Sequence, residues 1–180
     1  MSKIVFVLGP PASGKTRQCS FLEDYFGFVH ITLSELTEEN KLLKPIKELM
    51  NSARKLITFE LSDVRATRKF IILDGYPETM KQLEYWEKSV AQNIDLQMVL
   101  FLDCPLQKCL LRGLERQSFS RKDVDEVQQK IDYYVKNTLP VIEHFRTMNL
   151  VRQINGDMTC EKVFVEVQKV FRIGVKDMRF

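Results

Sequence analysis

The chain has 180 residues, 44% hydrophobic and 28% charged, enough for one domain with a core of its own. This composition excludes disordered and collagenous classes, and folding at this length buries roughly 70% of the unfolded chain's surface. With 27 Lys and Arg against 24 Asp and Glu, the net charge of +3 is too balanced to point to nucleic acid or an anionic membrane.

Residues 4–8 form an unbroken apolar run that stops at Gly9 and predicts a buried strand. A helical stretch follows over 15–25, then a weaker strand over 28–31. Residues 42–64 read as helical, broken at Pro45. Phe70-Ile71-Ile72-Leu73 is a strand ending at Asp74-Gly75, and 79–90 is a helix. Met98-Val99-Leu100-Phe101-Leu102 is a strand ending at Asp103, and Cys104-Pro105 leads into a helix over 106–115. A long charged helix is expected over 123–145 with Pro140 inside it, then a strand over 150–154 and a helix over 160–171. Strands alternating with helices predict a three-layer α/β/α domain over 1–180 with a five-stranded, mostly parallel sheet. In such sheets ligands bind at the carboxyl ends of strands, here Gly9, Asp74, Asp103 and Asn155.

Cys19, Cys104, Cys109 and Cys160 are scattered and make no C-x-x-C pair, so neither a disulfide scaffold nor a zinc site is expected. His30 and His144 are the two histidines, too few for a His-rich metal centre. No run reaches the ~18 apolar residues of a membrane span. The apolar run near Met1 is too short for a signal peptide, so a reduced, cytoplasmic setting is the expectation.

Gly9-Pro10-Pro11-Ala12-Ser13-Gly14-Lys15-Thr16 matches G-x-x-x-x-G-K-[ST] between a predicted strand and a predicted helix, the context of a P-loop. Backbone N–H groups of such a loop and of the helix start cradle phosphate oxygens. Lys15 adds positive charge at the β- and γ-phosphates, and the Thr16 hydroxyl can ligate Mg²⁺. Pro10 and Pro11 have no N–H, so Ala12 and Ser13 must supply the middle of the cradle.

With Asp74-Gly75-Tyr76-Pro77, Leu100-Phe101-Leu102-Asp103-Cys104, Leu114-Glu115-Arg116 and Pro140-Val141-Ile142 in the same order, the chain resembles the nucleoside monophosphate kinases from Lys3 to about Phe171. Adenylate kinases and UMP–CMP kinases are the nearest branches. The resemblance implies reversible phosphoryl transfer from Mg-ATP to a nucleoside monophosphate, with a helical flap at about 32–65 and a short lid at about 117–126. It assigns ATP contacts to Gly9, Pro11, Ala12, Ser13, Gly14, Lys15, Thr16, Arg112, Arg116, Asn155 and Gly156. It places Lys15, Arg116 and Arg121 on the transferring phosphoryl group, Arg121 pairing with Asp123 as the lid's R-x-D. It puts Leu33, Gly75, Gln82 and Lys130 at the monophosphate, and Thr16 with Asp74 at Mg²⁺.

Two positions depart from the family pattern. Glu38 and Glu78 stand where the resemblance leads one to expect phosphate-holding arginines. A like-charge pair at ~4 Å costs about 4 kcal/mol at an effective dielectric of 20, so each reversal opposes a dianionic acceptor. Lys41, Lys44, Arg54 and Lys81 are cations that could compensate. The first functional reading is therefore transfer from Mg-ATP to AMP. The alternatives are a weakened or inactive nucleotide-binding subunit of a larger, conceivably ciliary, assembly, and a UMP/CMP kinase. No N-K-x-D element favours a GTPase. Tyr85-Trp86 and Tyr133-Tyr134 read as packing residues rather than as part of the site.

Overall fold

The computed structural model describes residues 2–32, 70–89, 91, 94–116 and 120–177. In chain order these form β1 (Ser2–Leu8), α1 (Lys15–Phe26), β2 (Val29–Thr32), β3 (Phe70–Asp74), α2 (Met80–Ser89) and β4 (Ile94–Asp103). Then come α3 (Leu106–Leu114), α4 (Arg121–Tyr133), a π-helical turn (Tyr134–Thr138), α5 (Leu139–Thr147), β5 (Val151–Asn155) and α6 (Cys160–Asp177). The five strands form one sheet in the order β2-β3-β1-β4-β5, and all four pairings are parallel. The three-layer α/β/α architecture expected from the strand–helix alternation is the one observed.

The register explains why β1 is apolar throughout. Alternate side chains of a strand face opposite sides of the sheet. Ile4, Phe6 and Leu8 join one core with Tyr76, Trp86, Val141 and Phe145. Val5 and Val7 join a second core with Cys19, Leu22, Val163 and Phe171. The Phe6 ring meets Trp86 edge-on, with centroids 4.9 Å apart, so Trp86 packs as anticipated. β1 is central, β3 lies on one side of it and β4 on the other. This reversal opens a crevice at the carboxyl end of β1, where the P-loop begins.

Four elements differ from the sequence expectation. β4 starts at Ile94 rather than Met98, because Asp95 to Leu96 continue to pair with β1 up to a register shift at Ile4/Val5. β5 is an edge strand with exposed Arg152 and Gln153, not one covered on both faces. The expected long helix over 123–145 starts at Arg121 and is interrupted by the π-helical turn ahead of Pro140. A proline ring clashes with the carbonyl four residues back, and the widened turn accommodates it. α6 also runs on to Asp177, since Gly174 alone does not stop a helix. The expected helix at 42–64 lies outside the described residues, as does most of the expected flap at 32–65. Among the described residues no helix is long and apolar enough to cross a membrane.

Candidate active site

The P-loop is shaped by close approach. Gly9 leaves β1 at φ 154°, and a Cβ there would lie 2.6 Å from the Leu102 carbonyl oxygen of β4. Gly14 caps α1 at φ 96°, a left-handed conformation that glycine adopts without penalty. Between them, the Ser13 N–H donates to the Pro10 carbonyl at 3.2 Å, and the buried Ser13 Oγ has no protein partner. Lys15 Nζ folds back over the loop and donates to the carbonyls of Gly9 (2.9 Å) and Pro10 (2.8 Å). Burial lowers the Lys15 pKa, and the Asp74 and then the Glu78 carboxylates oppose that shift. A cation so desolvated gains from any anion that enters the loop.

Asp74 ends β3 and is 3% exposed. It accepts a hydrogen bond from Thr16 Oγ1 at 2.6 Å, and His30 Nε2 lies 3.4 Å from the same Oδ2. Cys19 Sγ, a His30 nitrogen and an Asp74 oxygen all fall within 4.8 Å of one another. Desolvation first, and then the Asp74 carboxylate, push the Cys19 thiol well above its ordinary range, so it packs as a neutral thiol. His30, by contrast, is a second partner for Asp74 that sequence spacing did not bring to notice.

The turn after Asp74 is clamped. Gly75, at φ 78°, donates its N–H to the Val7 carbonyl at 3.0 Å, and Tyr76 Oη donates to the Gln82 carbonyl at 3.1 Å. The Glu78 N–H donates to Gln82 Oε1 at 2.6 Å, and Thr138 Oγ1 donates to the Glu78 carbonyl at 3.1 Å. These bonds hold the Glu78 backbone from both sides. Its carboxyl pKa is raised by desolvation, Lys15 lowers it and Asp74 raises it further. The side-chain oxygen of Gln82 is thus committed to the turn.

A cavity of about 560 Å³ opens beside the loop. Gly9, Pro11 and Lys15 form one wall, Glu78 and Thr138 a second, and Glu126, Gln129, Lys130, Tyr133 and Tyr134 a third. Two lysines and two glutamates thus line one cleft.

The remaining expected residues are spread out. Arg112 donates to the carbonyls of Gly156 (3.1 Å) and Met158 (3.5 Å) and to Cys104 Sγ (3.3 Å). It therefore braces the loop after β5. Asn155 Oδ1 accepts from the Asp157 N–H at 2.8 Å, and the Gly156 N–H donates to the Asp103 carbonyl at 2.6 Å. Arg116 is exposed just beyond α3, and Arg121 is the exposed first residue of α4. The Asp123 carboxylate, expected to pair within the lid, accepts from the Ser120 N–H (2.9 Å) and hydroxyl (2.7 Å) as a helix-capping box. The lid expected at 117–126 is described from Ser120 onward, and from Arg121 it is already helix. Leu33, Glu38, Lys41, Lys44 and Arg54 lie outside the described residues.

The family model for adenylate kinase matches residues 7–150. The chain belongs to the nucleoside monophosphate kinase family. Among its curated relatives, "UMP-CMP kinase 2" of Caenorhabditis elegans is 30% identical over 185 residues, covering 95% of this chain and 97% of the relative. UMP-CMP kinase of Sus scrofa is 29% identical, covering 94% and 96%. The Homo sapiens protein of that name is 28% identical, covering 93% and 96%. Family membership accounts for the P-loop and for the all-parallel sheet.

Proposed function

We propose that this chain transfers the γ-phosphoryl group of Mg-ATP to UMP or CMP. Membership of the kinase family carries the reaction class, and the UMP-CMP kinase names of the relatives favour a pyrimidine acceptor over the AMP first expected. The observation that carries the reading in the structure is the Lys15–Thr16–Asp74 arrangement at the ends of β1 and β3, with Lys15 on the wall of the adjoining cavity.

Phosphoryl transfer needs positioning and positive charge more than an acid or base. The loop amides from Ala12 onward and the start of α1 would hold the phosphates of ATP. Lys15 would exchange its two loop carbonyls for phosphate oxygens, a step favoured by its burial. Thr16 Oγ1 and Asp74 Oδ2, 2.6 Å apart, are hard oxygen donors that suit Mg²⁺. The ion, when bound, neutralises charge on the β- and γ-phosphates. Glu78 sits in the acceptor cleft and opposes a dianion, so acceptor binding is expected to be weak.

The test is phosphoryl transfer from Mg-ATP to UMP, CMP and AMP separately, with a Lys15→Met protein as control. Turnover of UMP or CMP above AMP, abolished in the control, is the expected result. Transfer to AMP alone would refute the acceptor assignment. No transfer to any of the three, with ATP still bound, would refute the enzymatic reading and favour a binding subunit.

A further inference from the structure

The third wall of the cavity has a regularity that the reaction class does not explain. Glu126, Gln129, Lys130 and Tyr133 are spaced i, i+3, i+4, i+7 on α4, which places them on one helical face. The other face is buried through Val127 and Ile131. The π-helical turn begins directly after Tyr133, and the stripe ends with it. Thr138, at the far end of that turn, holds the Glu78 carbonyl, so this wall and the Glu78 wall are tied together.

The charge balance of the cleft poses a problem. Lys15 and Lys130 share the cleft with Glu78 and Glu126, Glu126 also pairs with Lys122 at 3.8 Å, and Lys15 is engaged with its own loop. An acceptor phosphate entering here must be held beside the Glu78 carboxyl, whose backbone is clamped at the wall of the cleft. Neutral donors can supply the missing hydrogen bonds without attracting that carboxylate's charge into the site.

We infer that the acceptor phosphate is held from the α4 wall, by the Tyr133 hydroxyl and the Gln129 amide alongside Lys130, in place of a cation on the Asp74-Gly75-Tyr76-Pro77-Glu78 turn. This rests on the reading of the cavity as the acceptor site. Tyr133 is 47% exposed, a large ring left uncovered on the wall of the cleft. Burial, and then the Glu78 carboxylate, raise its hydroxyl pKa, so it remains a proton donor at neutral pH. Gln129 and Lys130 are exposed one turn away and line the same cavity.

The experiment compares wild type with Tyr133→Phe and Gln129→Leu, scored with whichever monophosphate the wild type turns over. A hydrogen bond to a charged group is worth roughly tenfold or more in affinity. Tyr133→Phe is therefore expected to raise the acceptor KM about tenfold, with the KM for ATP and the melting temperature unchanged. Phe keeps the ring, so a ring that only stacks or packs predicts no change. An acceptor KM within twofold of wild type in both variants would overturn the inference and leave the kinase reading standing. A wild type that neither binds nor phosphorylates any monophosphate would overturn both.

Discussion

Replacing Gly9 by alanine should displace the P-loop from the sheet. The new Cβ would lie 2.6 Å from the Leu102 carbonyl oxygen and 3.1 Å from Ser13 Oγ. Ordinary contact begins at roughly 3.5 Å, so the loop must retreat from β4 by about 0.9 Å. Neither neighbour yields easily. The Leu102 carbonyl is strand backbone, held where β4 pairs with Ile154 of β5, and Ser13 is 4% exposed. Overpacking costs about 1–3 kcal/mol and a strained backbone dihedral about 1–3 kcal/mol more. Taking about 3 kcal/mol in all, the melting temperature should fall by roughly 6–12 °C for a chain of this size. The functional loss should be larger in proportion, because a misplacement of about 1 Å can cost about 100-fold in rate. The assay is thermal unfolding together with steady-state transfer from Mg-ATP. A Gly9→Ala protein that melts within 2 °C of wild type (roughly 0.7 kcal/mol at this size) and keeps its kcat would refute the close-approach argument.

Three further outcomes follow from the site. Lys15 has a lowered folded pKa, so the fold binds its proton less tightly than the unfolded chain, and the resulting penalty persists until the pH rises toward 10.5. Lys15→Met should therefore raise the nucleotide-free melting temperature at pH 7 while abolishing the stabilisation by ATP; a lower melting temperature would contradict this. Glu78 has a folded pKa raised above 4.5, so its contribution to stability is full below 4.5 and is lost as pH rises through the folded value. The melting-temperature advantage of Glu78→Gln over wild type should then grow from pH 4 to pH 8, and the acceptor KM should fall; a flat difference would show that Glu78 is not desolvated. Thr16→Val removes the hydroxyl that meets Asp74 at 2.6 Å. It should weaken the Mg²⁺ dependence of transfer by roughly tenfold or more, read from a magnesium titration at fixed ATP, and an unchanged midpoint would exclude Thr16 from the metal site.

Local chemistry was legible in the residues themselves. A continuous apolar run such as Ile4 to Leu8 can be satisfied only between two covered faces, and that run is the central strand. The Gly-rich loop between strand and helix announces itself because its demands on φ and on close approach are met by neighbours in sequence. β4 was read short because Asp95 and Gln97 break its apolar run, although the strand still pairs with β1. The break before Pro140 could be anticipated from proline's missing N–H and its ring clash, but not that it would take the form of a π-helical turn with Tyr134 and Thr138 buried.

What tertiary structure decided is which side chains meet. Thr16 and Asp74 are 58 positions apart and Glu78 and Thr138 are 60 apart, and no local pattern encodes either contact. Glu78 reads in sequence as a charge opposing the acceptor phosphate, and only the tertiary structure shows its backbone clamped and its carboxyl desolvated in the cleft. Arg112 reads in sequence only as a cation near the nucleotide, and tertiary structure shows it also bracing the carbonyls of Gly156 and Met158. Tyr133 reads as a packing ring until the π-helical turn leaves it facing the P-loop across the cavity. The sequence determines what each segment can form alone, because strand and loop preferences are local. The partners of a charged or polar side chain depend on contacts made only when distant segments close on one another.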